Sequence, residues 1–251
     1  VQSGDVLTSG INRSLAGLRG YIILGKNANK AKVFHDERLR GWQEIDQAMA
    51  QLTDLSQQWR ESADQQALLK LKSQIEGFRI AQQEIEEIAH QQENIPAIHL
   101  LYTKGESITS NSINMITSLI EDESLEDATP QRKKLLKQLA DSRGSFAVGL
   151  ANLRAYLLTG EQRFLLKFKS RWKNTQQGLN EIATSQHLFS QTQQGNWRRY
   201  QEYLVEFESL QKNLIDLRAA DNWNLANHWL GSKAAPRATN IMTILDKLQK
   251  S

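Results

Sequence analysis

The sequence predicts an all-α protein of six helices, two of them long, arranged as two stacked four-helix bundles with an internal duplication. Three observations point there. Of 251 residues only 3 are Pro and 14 are Gly, good helix formers dominate, and no run of alternating β-branched residues is bounded by turn signals. Apolar residues recur at steps of three and four, the period of one helix face. Finally, Leu15-Ala16-Gly17-Leu18-Arg19-Gly20-Tyr21-Ile22-Ile23-Leu24-Gly25 returns 135 residues later as Leu150-Ala151-Asn152-Leu153-Arg154-Ala155-Tyr156-Leu157-Leu158-Thr159-Gly160, with Leu, Ala, Leu, Arg, Tyr and Gly in step. A repeat of that period fixes architecture.

Helix 1 starts near Gly4 or Asp5, and Ile11, Leu15, Leu18 and Ile22 form its stripe. Its pattern runs on to Trp59. Unbroken, such a helix is about 80 Å long. Ser62 and Asp64 mark a turn and a cap before helix 2, whose stripe is Leu68, Leu71, Ile75, Phe78, Ile85 and Ile88. Asn94 and Pro96 open helix 3, since Pro at the first helical turn loses only an N–H that would be unpaired. The acidic run from Glu121 to Asp127 is a loop. Thr129-Pro130 starts helix 4, which extends to about Ser185 with Phe146, Leu150, Leu153 and Leu157 in the stripe of helix 1. Helix 5 carries Tyr203, Phe207, Leu210, Leu214 and Leu217. Helix 6 runs from Trp229 to the end, with Pro236 bending it.

The halves correspond beyond the opening motif. Trp42 matches Trp172 at an offset of 130, while Asn94 matches Asn222, and Ile113 and Ile116 match Ile241 and Ile244, at 128. The offset drops by five between Gly25 and Trp42, which is not a whole number of turns. A bulge or unwound segment is therefore expected at Lys26 to Lys30. The whole chain, 1–251, is taken as one domain with two modules. One spans about 1–27, 96–160 and 222–251. The other spans about 28–92 and 161–219. Both termini then lie at one end.

Composition narrows the function. The net charge is +3, from 31 basic and 28 acidic residues with interspersed signs, which is a solvated surface rather than a nucleic-acid footprint. There is no Cys, so disulfides, thiolate chemistry and Cys-ligated zinc are excluded. The five His residues have no i,i+4 partner of the kind a helical metal site needs, and no Gly-rich phosphate loop occurs. The chain is therefore expected to be no enzyme and to hold no metal or cofactor. Arg132, Lys133, Lys134 and Lys137 face either lipid headgroups or the acidic loop before them. No apolar run approaches the roughly 18 residues of a membrane span. The chain starts and ends inside helical pattern without an initiator Met, as a piece of a longer protein would.

Arg19 and Arg154 are the foremost candidate binding residues. Counting turns puts them at similar heights, close to the starts of helices 3 and 6. Two guanidinium forks with helix N-termini suit a carboxylate. Trp223, Asn224 and Asn227 open helix 6 and offer stacking and amide contacts, Tyr21 and Tyr156 line the same space, and His99 opens helix 3. The competing reading is that each Arg snorkels beside the apolar stripe or pairs with a Glu.

Leu18-Arg19-Gly20-Tyr21 with Gly25, Arg40-Gly41-Trp42, Leu153-Arg154-Ala155-Tyr156 with Gly160, Asp221-Asn222-Trp223-Asn224 with Ala226-Asn227, and Ala234-Ala235-Pro236-Arg237-Ala238 resemble the periplasmic sensor regions of bacterial methyl-accepting chemotaxis proteins. The two-bundle plan is similar to that of their helical bimodular sensor domains. The resemblance implies an extracytoplasmic sensor of a small organic acid, homodimeric, set between transmembrane helices of an inner-membrane receptor, with this fragment in the periplasm. It implies acid-binding arginines on the first and last helices, a role for Arg13, Arg19 or both on the first, with Arg218 and Arg237 near or on the last. Other bimodular sensors, including those of histidine kinases, recognise a periplasmic binding protein instead of a free ligand.

Overall fold

The computed structural model describes residues 2–250. Among these, eight helices and no strand are found. They are α1 (Gln2–Leu24), α2 (Ala28–Ser56), α3 (Ser62–Ile88), α4 (96–124), α5 (Pro130–Thr159), α6 (Gln162–Ala183), α7 (Gln191–Ala219) and α8 (225–250). The fourth and eighth each contain one wide π turn, Leu101–Gly105 and Leu230–Ala234.

The two helices expected to be long are each a hairpin. α1 stops at Leu24, and the amide of Gly25 bonds the Tyr21 carbonyl at 2.8 Å. Asn27 then caps α2, its side chain accepting from the amides of Asn29 and Lys30. The expected fault between Gly25 and Lys30 is thus a full reversal. α2 returns along α1 with the backbones nearly touching: a Cβ added at Gly10 lies 2.7 Å from the Gly41 carbonyl oxygen, and one at Gly41 lies 2.5 Å from the Ser14 nitrogen. Only glycines permit that approach. α5 ends in the same way at Gly160, which has φ 74° and a 2.7 Å bond from its amide to the Tyr156 carbonyl. A left-handed C-cap of this kind favours Gly.

The described residues form two compact units. One comprises residues up to Ile95 with those from Asn224 on, and so contains α1, α2, α3 and α8. The other is Pro96–Trp223, containing α4 to α7. Each has its own apolar core. This division differs from the expected modules because each hairpin stays whole within one unit.

The duplication is visible in the cores. The buried positions of α3, Leu68, Leu71, Ile75, Phe78, Ala81, Gln82 and Ile85, recur 129 residues later in α7 as Trp197, Tyr200, Leu204, Phe207, Leu210, Gln211 and Leu214. The π turns of α4 and α8 are also 129 apart. The expected offset of 128 near the C-terminus is therefore one residue short: Ile116 corresponds to Leu245 rather than to Ile244. Pro236 follows the π turn of α8, and its missing N–H leaves the Ser232 carbonyl free of an i→i−4 bond. The matching position in α4 is Ser107, so proline is not required for the turn.

Each repeat therefore holds four helices, α1 to α4 and α5 to α8, yet each unit takes three from one repeat and the fourth from the other. In the first unit α8 runs antiparallel to α3. Lys233 reaches Glu84 at 2.5 Å, and the Asn94 side-chain oxygen accepts from the Ala226 amide at 2.8 Å. At the opposite end, Gly4 of α1 packs on the side chain of Gln249 of α8. The start of α1 and the end of α8 thus lie side by side.

Candidate ligand groove

The first unit presents an open groove of about 840 Å³ on the faces of α2 and α3. Arg38 and Trp42 stand one turn apart on α2. Arg79, Gln83 and Glu86 stand at successive turns of α3. Lys32, His35 and Tyr21 complete the wall.

Arg38 is the buried charge of the groove, only 8% exposed. Its guanidinium pairs with Glu86, whose other oxygen meets His35 Nδ1 at 2.6 Å. Burial pulls Arg38 below the ordinary arginine range, and Glu86 opposes that pull. Arg38 Nε is buried without a partner among the described residues. Trp42, 4% exposed, forms the floor. Its indole N–H donates to Gln82 at 3.0 Å, Gln82 donates to Ser14 Oγ at 3.0 Å, and Ser14 donates to the Ile11 carbonyl at 2.9 Å. This relay ties α1, α2 and α3 together beneath the groove. The Arg79 guanidinium lies 4.0 Å above the Trp42 ring and pairs with Asp46. Two guanidiniums, each paired with a carboxylate, thus stand beside an indole in one groove, and groups of this kind offer charge-assisted hydrogen bonds.

The sequence reads Trp42 as a repeat marker and Glu84, Glu86 and Glu87 as a solvated helix face, and it misses Arg38 and Arg79; Glu86 is instead largely buried against Arg38 and His35. The available signal was the i,i+4 pair Arg38/Trp42 opposite the i,i+7 pair Arg79/Glu86. It is invisible until α2 and α3 are known to be neighbours.

The expected site residues divide between the two units. Arg19 is exposed on α1 of the first unit and Arg154 is exposed on α5 of the second. Neither lines the groove. Tyr21 does line it; its ring meets His90 edge-on at 4.9 Å. Tyr156 is buried in the second core. Arg13 is held by Glu37 at 3.0 Å and Glu44 at 3.1 Å. Asn224 is the N-cap of α8, accepting from the amide of Asn227, and Asn227 itself is exposed. Trp223 lies under the Arg218 guanidinium at 4.0 Å, and Arg218 also donates to the Leu157 carbonyl. Arg237 lies across Gly77 of α3. His99 is half-buried on α4. Arg132 pairs with Glu123 and Glu126, but the expected acidic loop is helical through Ser124, the Glu123 side chain is fully buried, and Lys137 pairs with Asp141 of its own helix instead.

The chain matches no family model and no curated protein. The groove must therefore be judged on its own chemistry. Among the described residues no group of three or more His, Asp or Glu gathers as metal ligands would. No helix among them is long and apolar enough to cross a membrane.

Proposed function

We propose that the chain is the extracytoplasmic ligand-sensing domain of a bacterial chemoreceptor, binding a small carboxylate-bearing molecule. The observation that carries this reading is the groove of the first unit, where buried Arg38 and ring-stacked Arg79 flank Trp42. A carboxylate there competes with Glu86 and Asp46 for the two guanidiniums. α3 carries Arg79 and Glu86, and it packs along α8, so a change in groove occupancy shifts α3 against α8. α8 in turn ends beside α1, which is the pairing a receptor uses to pass a small displacement to flanking membrane helices. The switch requires only that ligand favour one packing over another. In this reading the receptor is a homodimer in the inner membrane and the fragment is periplasmic.

Thermal-shift screening against organic acids and amino acids tests the proposal. At about a hundredfold excess over Kd, a true ligand adds about 2.7 kcal/mol of stability. Arg79→Ala removes the shift, and Arg19→Ala with Arg154→Ala leaves it intact. Retention in Arg79→Ala, or loss in the Arg19/Arg154 double variant, places the ligand elsewhere.

A second reading, the sensor region of a histidine kinase recognising a periplasmic binding protein, is favoured by one feature. Ile23, Leu24 and Val33 are 75%, 45% and 60% exposed beside the α1–α2 turn. Ile23→Ser with Val33→Ser leaves carboxylate binding unchanged in the first reading and abolishes partner binding in the second.

A further inference from the structure

The second unit repeats the groove with different chemistry. α6 and α7 match α2 and α3 at offsets of 130 and 129, and a groove of about 480 Å³ lies between them. Trp172 stands where Trp42 stands. Phe168 replaces Arg38, Ile215 replaces Glu86, and Glu208 replaces Arg79. The buried ion pair has become an apolar floor, and the guanidinium that covers Trp42 has no counterpart.

Trp172 is half-buried, packed against Phe207 at 5.3 Å and Phe146 at 6.3 Å, and among the described residues no cation lies over it. Lys169, Lys173 and Lys212 line the rim, none of them in an ion pair among the described residues. Of the two carboxylates present, Glu208 is held by the Gln176 side chain at 3.3 Å and Asp216 stands at the edge. Gln211, 7% exposed, also lines this groove. Its counterpart Gln82 accepts the Trp42 N–H, but the Gln211 Oε1 has no partner. The Trp172 N–H is therefore not spent on the core.

We propose that this second groove binds a carboxylate with an aromatic body, the ring on Phe168, Trp172 and Ile215 and the carboxylate on the lysine rim. The proposal builds on the reading of the chain as a small-molecule sensor, but its site is separate from the groove of the first unit. An aromatic ring gains offset or edge contacts with Trp172 that a short aliphatic acid lacks, while the ammonium groups supply charge-assisted hydrogen bonds.

The chain has six Trp, so indole N–H signals of the ¹⁵N-labelled full chain report each groove separately, with Trp42→Phe and Trp172→Phe assigning the two that matter. Benzoate and acetate are the probes. The expected result is a saturable shift of the Trp172 signal with benzoate and none with acetate, and an affinity about tenfold weaker in Lys169→Gln with Lys212→Gln. A Trp172 signal unmoved by benzoate, moved equally by acetate, or indifferent to the lysine substitutions overturns the proposal. If benzoate moves Trp42 alone, this proposal falls and the first groove stands. If neither signal moves and no carboxylate raises Tm, both fall.

Discussion

At the scale of single residues, buried polar groups are where the chain is most exposed to substitution. The Glu123 side chain is fully buried, held by two bonds from Arg132 and one from Gln193 at 3.0 Å. Arg132→Ala leaves that carboxylate with one neutral partner. Breaking a buried pair typically costs about 3–5 kcal/mol, and the lower end applies because Gln193 remains. Urea unfolding checks it. Tyr200 is buried in the second core with its hydroxyl 3.3 Å from Ser142, and burial pushes it up to about 12 from 10.0. The folded state keeps this proton where the unfolded chain has lost it. Its contribution is therefore complete below pH 10 and is lost as pH rises towards 12, roughly 2–3 kcal/mol in all. Tyr200→Phe should flatten that part of the alkaline stability curve relative to wild type; an unchanged slope contradicts the assignment.

At the scale of elements, helix identity was legible and helix reversal was not. The stripes through Leu15 and Leu150 marked α1 and α5 correctly because burial of one face imposes the 3.6 period whatever lies beyond. Gly25-Lys26-Asn27 looked like a fault because helix-forming residues continue on both sides. Only the pairing of Gly10 with Gly41 reveals that α2 folds back, and such a pairing is long-range information. Gly41→Ala should therefore cost about 1–3 kcal/mol by forcing the α1–α2 hairpin apart. Gly144→Ala, exposed in α5 with nothing within 4 Å of the added Cβ, should instead stabilise by up to about 1 kcal/mol. Thermal melts of the two variants separate close packing from intrinsic propensity. Two caps at similar places in the two repeats, each one residue out of exact register, were equally illegible: His90 bonds the Tyr21 carbonyl at 2.8 Å, and Arg218 bonds the Leu157 carbonyl at 2.9 Å. Each is a cation-capable side chain at a helix C-terminus, where it favours the exposed carbonyls, but neither lies near its partner in sequence.

At the scale of the whole molecule, the duplication was legible from Leu18-Arg19 and Leu153-Arg154, whereas the exchange of α4 and α8 between repeats was not. A four-helix repeat can close on its own fourth helix or on that of its twin, and local pattern is the same in both cases. The choice matters for function. It places α3, which carries Arg79 and Glu86, against α8, whose end lies beside α1, so groove and outlet share one unit. Glu84 and Lys233 sit on that contact at 2.5 Å. The residue equivalent to Lys233 in the other repeat is Lys104 on α4, so the two ways of closing the bundle place different lysines beside Glu84. Zero-length carbodiimide cross-linking followed by peptide mass spectrometry distinguishes them. A Glu84–Lys233 cross-link is predicted, and it should be lost in Lys233→Gln. A Glu84–Lys104 cross-link in its place would mean that each repeat keeps its own fourth helix, and the route from groove to α8 would be wrong.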